Sequence, residues 1–352
     1  MNIQLSDHFN YKKLFLFTLP SVVMMVFTSV YCVVDGFFVS NFAGKTAFAA
    51  INLIMPFIMI LGGIGFMIGT GGSALVSYTL GTRDKEKANR YFSMMVYFTI
   101  LAGILLTVLG IIFVRPIAEL FGADESMMDT CVLYGRIVIA FNAAFMLQNI
   151  FQSFFVVAEK PRLGLIVTIA AGVTNMVLDA LFVGVFKWGI VGAALATGIS
   201  QSIGGLLPLL YFALPNNSPL QLTRTGFELA PLLKASSNGC SELMSNVASS
   251  LIGIVYNYQL MRLGGENAVA TYGVLMYIQF VFIAIFIGYS VGSAPIIGYH
   301  YGAGNFKELQ NMRRKSLKIM SISGVLMAIL GFTLAPVISA IFVGYDAELL
   351  SM

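Results

Sequence analysis

Apolar runs long enough to cross a bilayer follow one another along the chain, at roughly 14–38, 50–79, 91–114, 132–157, 163–186, 189–214, 234–262, 268–299 and 316–343. A hydrocarbon core about 30 Å thick takes roughly 20 apolar residues per helix. In lipid the backbone must satisfy its own N–H and C=O groups, which an uninterrupted helix does. The pattern therefore predicts an all-α polytopic membrane protein with nine transmembrane helices. The polar segments between the runs set its orientation. With the amino terminus in the cytoplasm, Lys12, Lys13, Arg83, Lys85, Lys87, Arg90, Lys160, Arg162, Arg224, Lys234, Lys307, Arg313, Arg314, Lys315 and Lys318 all fall inside. Only Lys45, Arg115, Arg136, Lys187 and Arg262 fall outside, as the positive-inside rule requires.

The chain resembles itself at an offset of about 220 residues. GTGGSALVSYTLGTRDKEKAN from Gly69 is echoed by GYSVGSAPIIGYHYGAGNFKEL from Gly288. Each copy leaves the membrane at a glycine, Gly81 or Gly302, makes a polar turn, and enters a span that ends near a proline, Pro116 or Pro336. Both copies leave on the same side, so the repeats are parallel and related by an axis near the membrane normal. The longest connection, about 215–233, carries Pro215, Pro219, Gly226 and Pro231 and reads as a cytoplasmic linker. It divides a six-helix amino-terminal lobe, 1–214, from a three-helix lobe, 234–352, that reads as incomplete.

Composition strengthens this picture. The chain is 58% hydrophobic and 10% charged, against roughly 25% charged in soluble domains. The net charge of +4 is spread over short loops rather than gathered on a face, which argues against a nucleic-acid partner. Cys32, Cys131 and Cys240 lack any C-x-x-C spacing and read as isolated core thiols, not as a disulfide or metal site. The run from Leu14 has no small-residue cleavage site and reads as a retained first span, not a signal peptide.

Candidate chemistry lies in the charges within the spans. Asp35, Asp179 and Glu242 sit in apolar runs, where a carboxylate costs roughly 2.5–3.5 kcal/mol at a helix centre. A functional role is the default reading, with a structural hydrogen bond near the interface as its alternative for Asp35 and Asp179. Asn175 and Asp179 share one helix face and present an amide and a carboxylate to one volume, to which Thr197 adds a hydroxyl. Such oxygens suit a proton or Na+, a coupling ion rather than a bound cofactor or a transition metal. Asn238, Glu242, Ser245 and Ser249 form a polar stripe, read together with Tyr31 as the lining of a substrate cavity, with close helix packing as the other reading of the serines. Pro20 lies mid-span and predicts a bending point. His300, beside the turn at Gly302, reads as an interfacial anchor, and Gly65 and Gly69 as a seat for close helix contact. No H-E-x-x-H motif, nucleophile elbow or phosphate loop occurs, so the chain is not read as an enzyme.

These residues resemble the multidrug and toxic compound extrusion (MATE) family, in its bacterial MepA-like branch. The similarity rests on LPSVVMMVFTSVYCVVDGFFVSNFAG, SYTLGTRDKEKAN, FQSFFVVAEKPR, TNMVLDALFV and GAALATGISQ, and covers nearly the whole chain. It implies a twelve-helix transporter of two six-helix bundles around a V-shaped cavity, exchanging H+ or Na+ for organic cations across a bacterial plasma membrane as a monomer. Asp35, Asn175, Asp179 and Thr197 would form the amino-terminal cation site, Glu242 would take the acidic position of the seventh helix, and protonation of Asp35 would bend the first helix at Pro20. The alternatives are a lipid-linked or polysaccharide precursor flippase of the same superfamily and a membrane-embedded accessory subunit.

Overall fold

The computed structural model describes residues 3–43, 45–123 and 125–343, so the last nine positions of the second lobe, 344–352, lie outside the described residues. Helices dominate it: α1 (Tyr11–Phe38), α2 (Lys45–Gly81), α3 (Lys85–Leu120), α4 (Glu125–Ala140), α5 (Asn142–Val157), α6 (Pro161–Asp179), α7 (Gly189–Ala213), α8 (Leu229–Gly302) and α9 (Phe306–Val343). Among the described residues seven helical stretches are long and apolar enough to cross a membrane, and an eighth arises if α4 and α5 are one span. The sequence predicts that single span at 132–157. The structure breaks it at Phe141, whose ψ of 7° leaves the helical path, and the two halves meet at 54°.

The runs at 234–262 and 268–299 merge into α8, whose helical backbone continues for 74 residues. A straight helix of that length would reach about 110 Å. Both ends of α8 nevertheless press on the same half of α2. A Cβ at Gly71 would collide with the Ala235 carbonyl, and one at Gly302 with the carbonyl of Tyr78. The helical path therefore doubles back between Leu243, which touches Gly63, and Gly288, which touches Val22. Of the two legs, only Gln279–Gly302 is apolar enough to count as a membrane span, so the described residues give seven or eight spans where the hydrophobic pattern predicts nine.

The internal repeat is visible in the backbone. Arg83 and Gly304 occupy equivalent turns with φ of 66° at both, a left-handed conformation that glycine adopts freely and arginine does not. Asp84 then caps α3 by accepting from Lys87 N at 3.0 Å, as Asn305 caps α9 by accepting from Glu308 N at 3.2 Å. The copies also pack on one another reciprocally. Gly81 lies against Tyr299 and Ala303, Gly302 lies against Tyr78, and the equivalent residues Ser77 and Gly298 touch each other. Contact between equivalent positions puts them on a pseudo-twofold axis, the relation expected of parallel repeats.

Gly65 and Gly69 receive the backbone of α5 at Met146 and Ile150, the close contact that their spacing predicts. The connection after α7 is docked rather than loose. Gln221 N donates to Asn89 Oδ1 at 3.0 Å, Thr223 N donates to Ser93 Oγ at 2.8 Å, and Leu220 is fully buried in the core around Phe92, Phe154 and Phe212. Two side-chain expectations need correction. Cys131 is buried, but Cys32 and Cys240 are exposed. His300 is not an interfacial anchor at the surface: it is buried at 2% exposure, with Asn305 Nδ2 3.4 Å from its Nδ1. The turn at Gly302 folds α9 back over it.

Candidate cation site

The acidic residues of the first lobe are brought together by helix register. α1 and α6 run side by side, and Gly172 has no room for a Cβ because Phe27 and Tyr31 lie over it. About two turns further along both helices come Asp35 and Asp179. Their carboxyl groups lie within interaction range of each other across the helix boundary. On the other flank, Gly192 of α7 packs on Phe182 just past α6, and because the helices are antiparallel Thr197 comes level with the Asn175–Asp179 turn.

Asp179 is completely buried and Asn175 is 2% exposed. Both Asp179 oxygens, Asp35 Oδ1, Asn175 Oδ1 and Thr197 Oγ1 are shielded from solvent and accept no hydrogen bond from the protein. Buried acceptors of this kind are normally satisfied, and oxygens without donors are the chemistry that a proton or hard cation takes. Two adjacent carboxylates repel each other unless positive charge accompanies them. Among the described residues no cluster of three or more His, Cys, Asp or Glu side chains that could hold a metal ion occurs.

The backbone is irregular at the same level. α6 passes into a π-helical segment, Ala180–Val185, immediately after Asp179, and α1 passes into another, Val39–Ala43, one turn beyond Asp35. The two segments touch. Single π turns inside α-helices recur at functional sites because they re-aim side chains at little cost.

Two further groups belong to this cluster. Tyr134 of α4, 1% exposed, lies within electrostatic reach of both Asp35 and Asp179. Gln148 of α5 meets the Tyr31 hydroxyl and lies against Gly204 of α7. Sequence reading passes over Tyr134 because nothing in its spacing separates it from an ordinary core tyrosine. Gln148 left a usable signal, since an uncharged amide inside an apolar run is itself uncommon. Tyr31 stands with this cluster, beside Asp35 and Gln148, and not with the stripe on α8.

That stripe forms along α8 but is not enclosed. Asn238, Ser245 and Ser249 are exposed and Glu242 is half-buried. They flank the Ala235, Gly239 and Leu243 edge that seats α8 on α2. Ser245 donates to the Ser241 carbonyl at 2.8 Å. Pro20 is buried within an unbroken α1.

The sequence profile of MatE matches residues 20–181 and 243–352. The chain belongs to the MATE family. Among MATE relatives, the multidrug export protein MepA of Staphylococcus saprophyticus is 25% identical over 346 residues, 97% of this chain and 75% of its own length. MepA of Staphylococcus haemolyticus is 24% identical over 315 residues, covering 89% of this chain and 68% of the relative. The fold superimposes on a crystal structure of MATE in complex with MaL6 with a TM-score of 0.91 at 21% identity, over 98% of this chain and 77% of that one. The chain thus spans about two thirds to three quarters of the MATE proteins it matches, which are transporters rather than enzymes. Its apolar helices make it a multi-pass membrane protein.

Proposed function

We propose that this MATE protein is a cation-coupled antiporter that exports organic, mainly cationic, compounds across the bacterial plasma membrane. The observation that carries this reading is the meeting of Asp35 and Asp179 inside the first lobe, with Asn175, Thr197 and Tyr134 around them. A pair of carboxylates held in apolar surroundings binds one H+ or Na+ when its side of the membrane offers that ion, and gives it up when the lobes swap exposure. One elementary charge moved through the membrane potential supplies about 2.3 kcal/mol per 100 mV, enough to drive a solute uphill.

The cargo follows from two considerations. The relatives at 24% and 25% identity are named as multidrug exporters, and the charge on the α8 stripe, Glu242, is acidic. An acidic wall attracts organic cations and disfavours anionic headgroups, which weighs against the flippase reading. The end bearing the α2–α3 and α8–α9 turns carries Lys85, Lys87, Arg90, Lys307, Arg313, Arg314 and Lys315. We assign it to the cytoplasm by the positive-inside rule, and there the two repeats pack closed.

Proteoliposomes loaded with a fluorescent organic cation, under an imposed pH or Na+ gradient, test the proposal. Wild-type protein is expected to release dye only when one of the gradients is applied. Asp179→Asn should lose that dependence, and gradient-driven release that survives unchanged in the variant would remove the site from the mechanism.

A further inference from the structure

The residues before α1 join the two lobes across the closed end. Leu5 N donates to Glu159 Oε1 at 2.7 Å, and Glu159 sits in the α5–α6 turn of the first lobe. Three residues on, the segment turns to the second lobe. Glu308 of α9 lies 2.7 Å from His8 Nδ1 through Oε2 and accepts from Phe9 N at 3.0 Å through Oε1. The Phe9 carbonyl in turn accepts from Asn311 Nδ2 at 3.0 Å and Lys315 Nζ at 2.5 Å. Apolar packing follows the same route. Leu5 and Phe9 are 1% and 0% exposed and enter a core shared by Phe17, Met24 and Met25 of α1, Val156 of α5, Ala284, Val291 and Ile296 of α8 and Met312 of α9.

We propose that residues 5–9 are an inter-lobe clasp, with Glu308 as the gating residue that holds the cytoplasmic side closed. The segment is covalently continuous with α1, so it travels with the first lobe. Separation of the lobes at this end must therefore break the joint with α9. Glu308 is 5% exposed in the closed state. A buried carboxylate is tolerable when hydrogen-bonded and expensive when stripped of its partners. Here those partners are His8, Phe9 N and Asn311, with His300, Asp7, Lys13 and Lys315 as the other charged or titratable groups nearby. Opening exchanges these bonds for water, so the closed state has a discrete polar joint in addition to the apolar packing along the same route.

The clasp rests on the alternating-access reading and adds its cytoplasmic latch, and labelling reads conformation without requiring transport. Ser77 is fully buried against Gly298 at the pseudo-twofold axis. A cysteine there, with the exposed Cys32 and Cys240 replaced by serine, reacts with a maleimide in detergent solution only when the closed end parts. Glu308→Gln should speed labelling by about tenfold, the consequence of losing charge-assisted hydrogen bonds. His8 is largely exposed, so His8→Ala leaves the fold intact and is expected to act in the same direction to a smaller extent. Faster labelling in either variant supports the clasp. Parent-like labelling in both overturns it, whether or not Asp179→Asn abolishes coupled efflux.

Discussion

The carboxyl groups of Asp35 on α1 and Asp179 at the end of α6 lie within interaction range of each other, without a hydrogen-bond donor on Asp35 Oδ1 or on either Asp179 oxygen. Proximity of two like charges in a medium of low permittivity weakens the fold unless an ion or proton offsets it. Asp35→Asn removes one charge at nearly constant volume. Gradient-driven efflux should fall by about tenfold or more, while the unfolding temperature of the purified protein rises. A structural role for Asp35 predicts the opposite sign in the melting experiment, so a lower unfolding temperature with efflux retained would exclude the coupling role.

Tyr134 contributes a hydroxyl to the same volume from a ring that fills the core. Tyr134→Phe keeps the ring and deletes only the donor. The hydroxyl lies within electrostatic reach of both carboxyl groups without a hydrogen bond to Asp179, so its loss should lower efflux by a few-fold with little change in stability. Efflux kinetics beside a melting curve provide the check, and equal efflux in the variant and the parent would mean that the hydroxyl is only a packing neighbour.

The seam between the repeats makes a separate prediction. A methyl group at Gly71 would meet the Ala235 carbonyl and one at Gly302 the carbonyl of Tyr78, both backbone atoms that no rotamer change relieves. Gly71→Ala and Gly302→Ala should each cost about 1–3 kcal/mol of closed-state packing and expose a Ser77→Cys reporter. At Gly324 a methyl group would meet nothing within 4 Å, so Gly324→Ala should hold or raise stability, as alanine generally does in a helix. If all three variants label and melt alike, the seam does not govern closure.

Much of this architecture was legible in the sequence because lipid leaves the backbone few choices. Apolar run lengths marked the spans, and the echo of Gly69–Asn89 at Gly288 marked the repeat that the turns at Arg83 and Gly304 and the Ser77–Gly298 contact express. The burial of Asp179 and Asn175 was hidden in part, but Asp179 stood out because a charge in an apolar run has few innocent explanations. What distinguishes Tyr134 is its height along α4 relative to two other helices, and register between helices distant in sequence leaves no mark on residue type. The break at Phe141 was hidden likewise, since no proline or glycine announces it. The clasp escaped notice for a different reason: residues 5–9 precede the first apolar run, and Glu308 reads as an ordinary charge in a helix's first turn.

Glu159 lies outside the membrane spans and gives a prediction in pH. Burial raises its pKa above the ordinary value of 4.5, and Asp7 adds to the effect, while the hydrogen bond from Leu5 N and the charge of Lys160 oppose it. The folded state therefore holds the Glu159 proton more tightly than the unfolded state does. Between the two pKa values the folded chain binds more protons, so stability falls as pH rises through that window. Below it both states are protonated and the group is neutral in the balance; above it the full penalty of a half-buried carboxylate is present. Glu159→Gln keeps an oxygen for Leu5 N and cannot ionise. Its unfolding temperature should match that of the parent at the acid end of the range and exceed it once pH has climbed past the raised value. A parent curve that gains on the variant with rising pH would show that the Leu5 bond, strengthened by charge, outweighs burial.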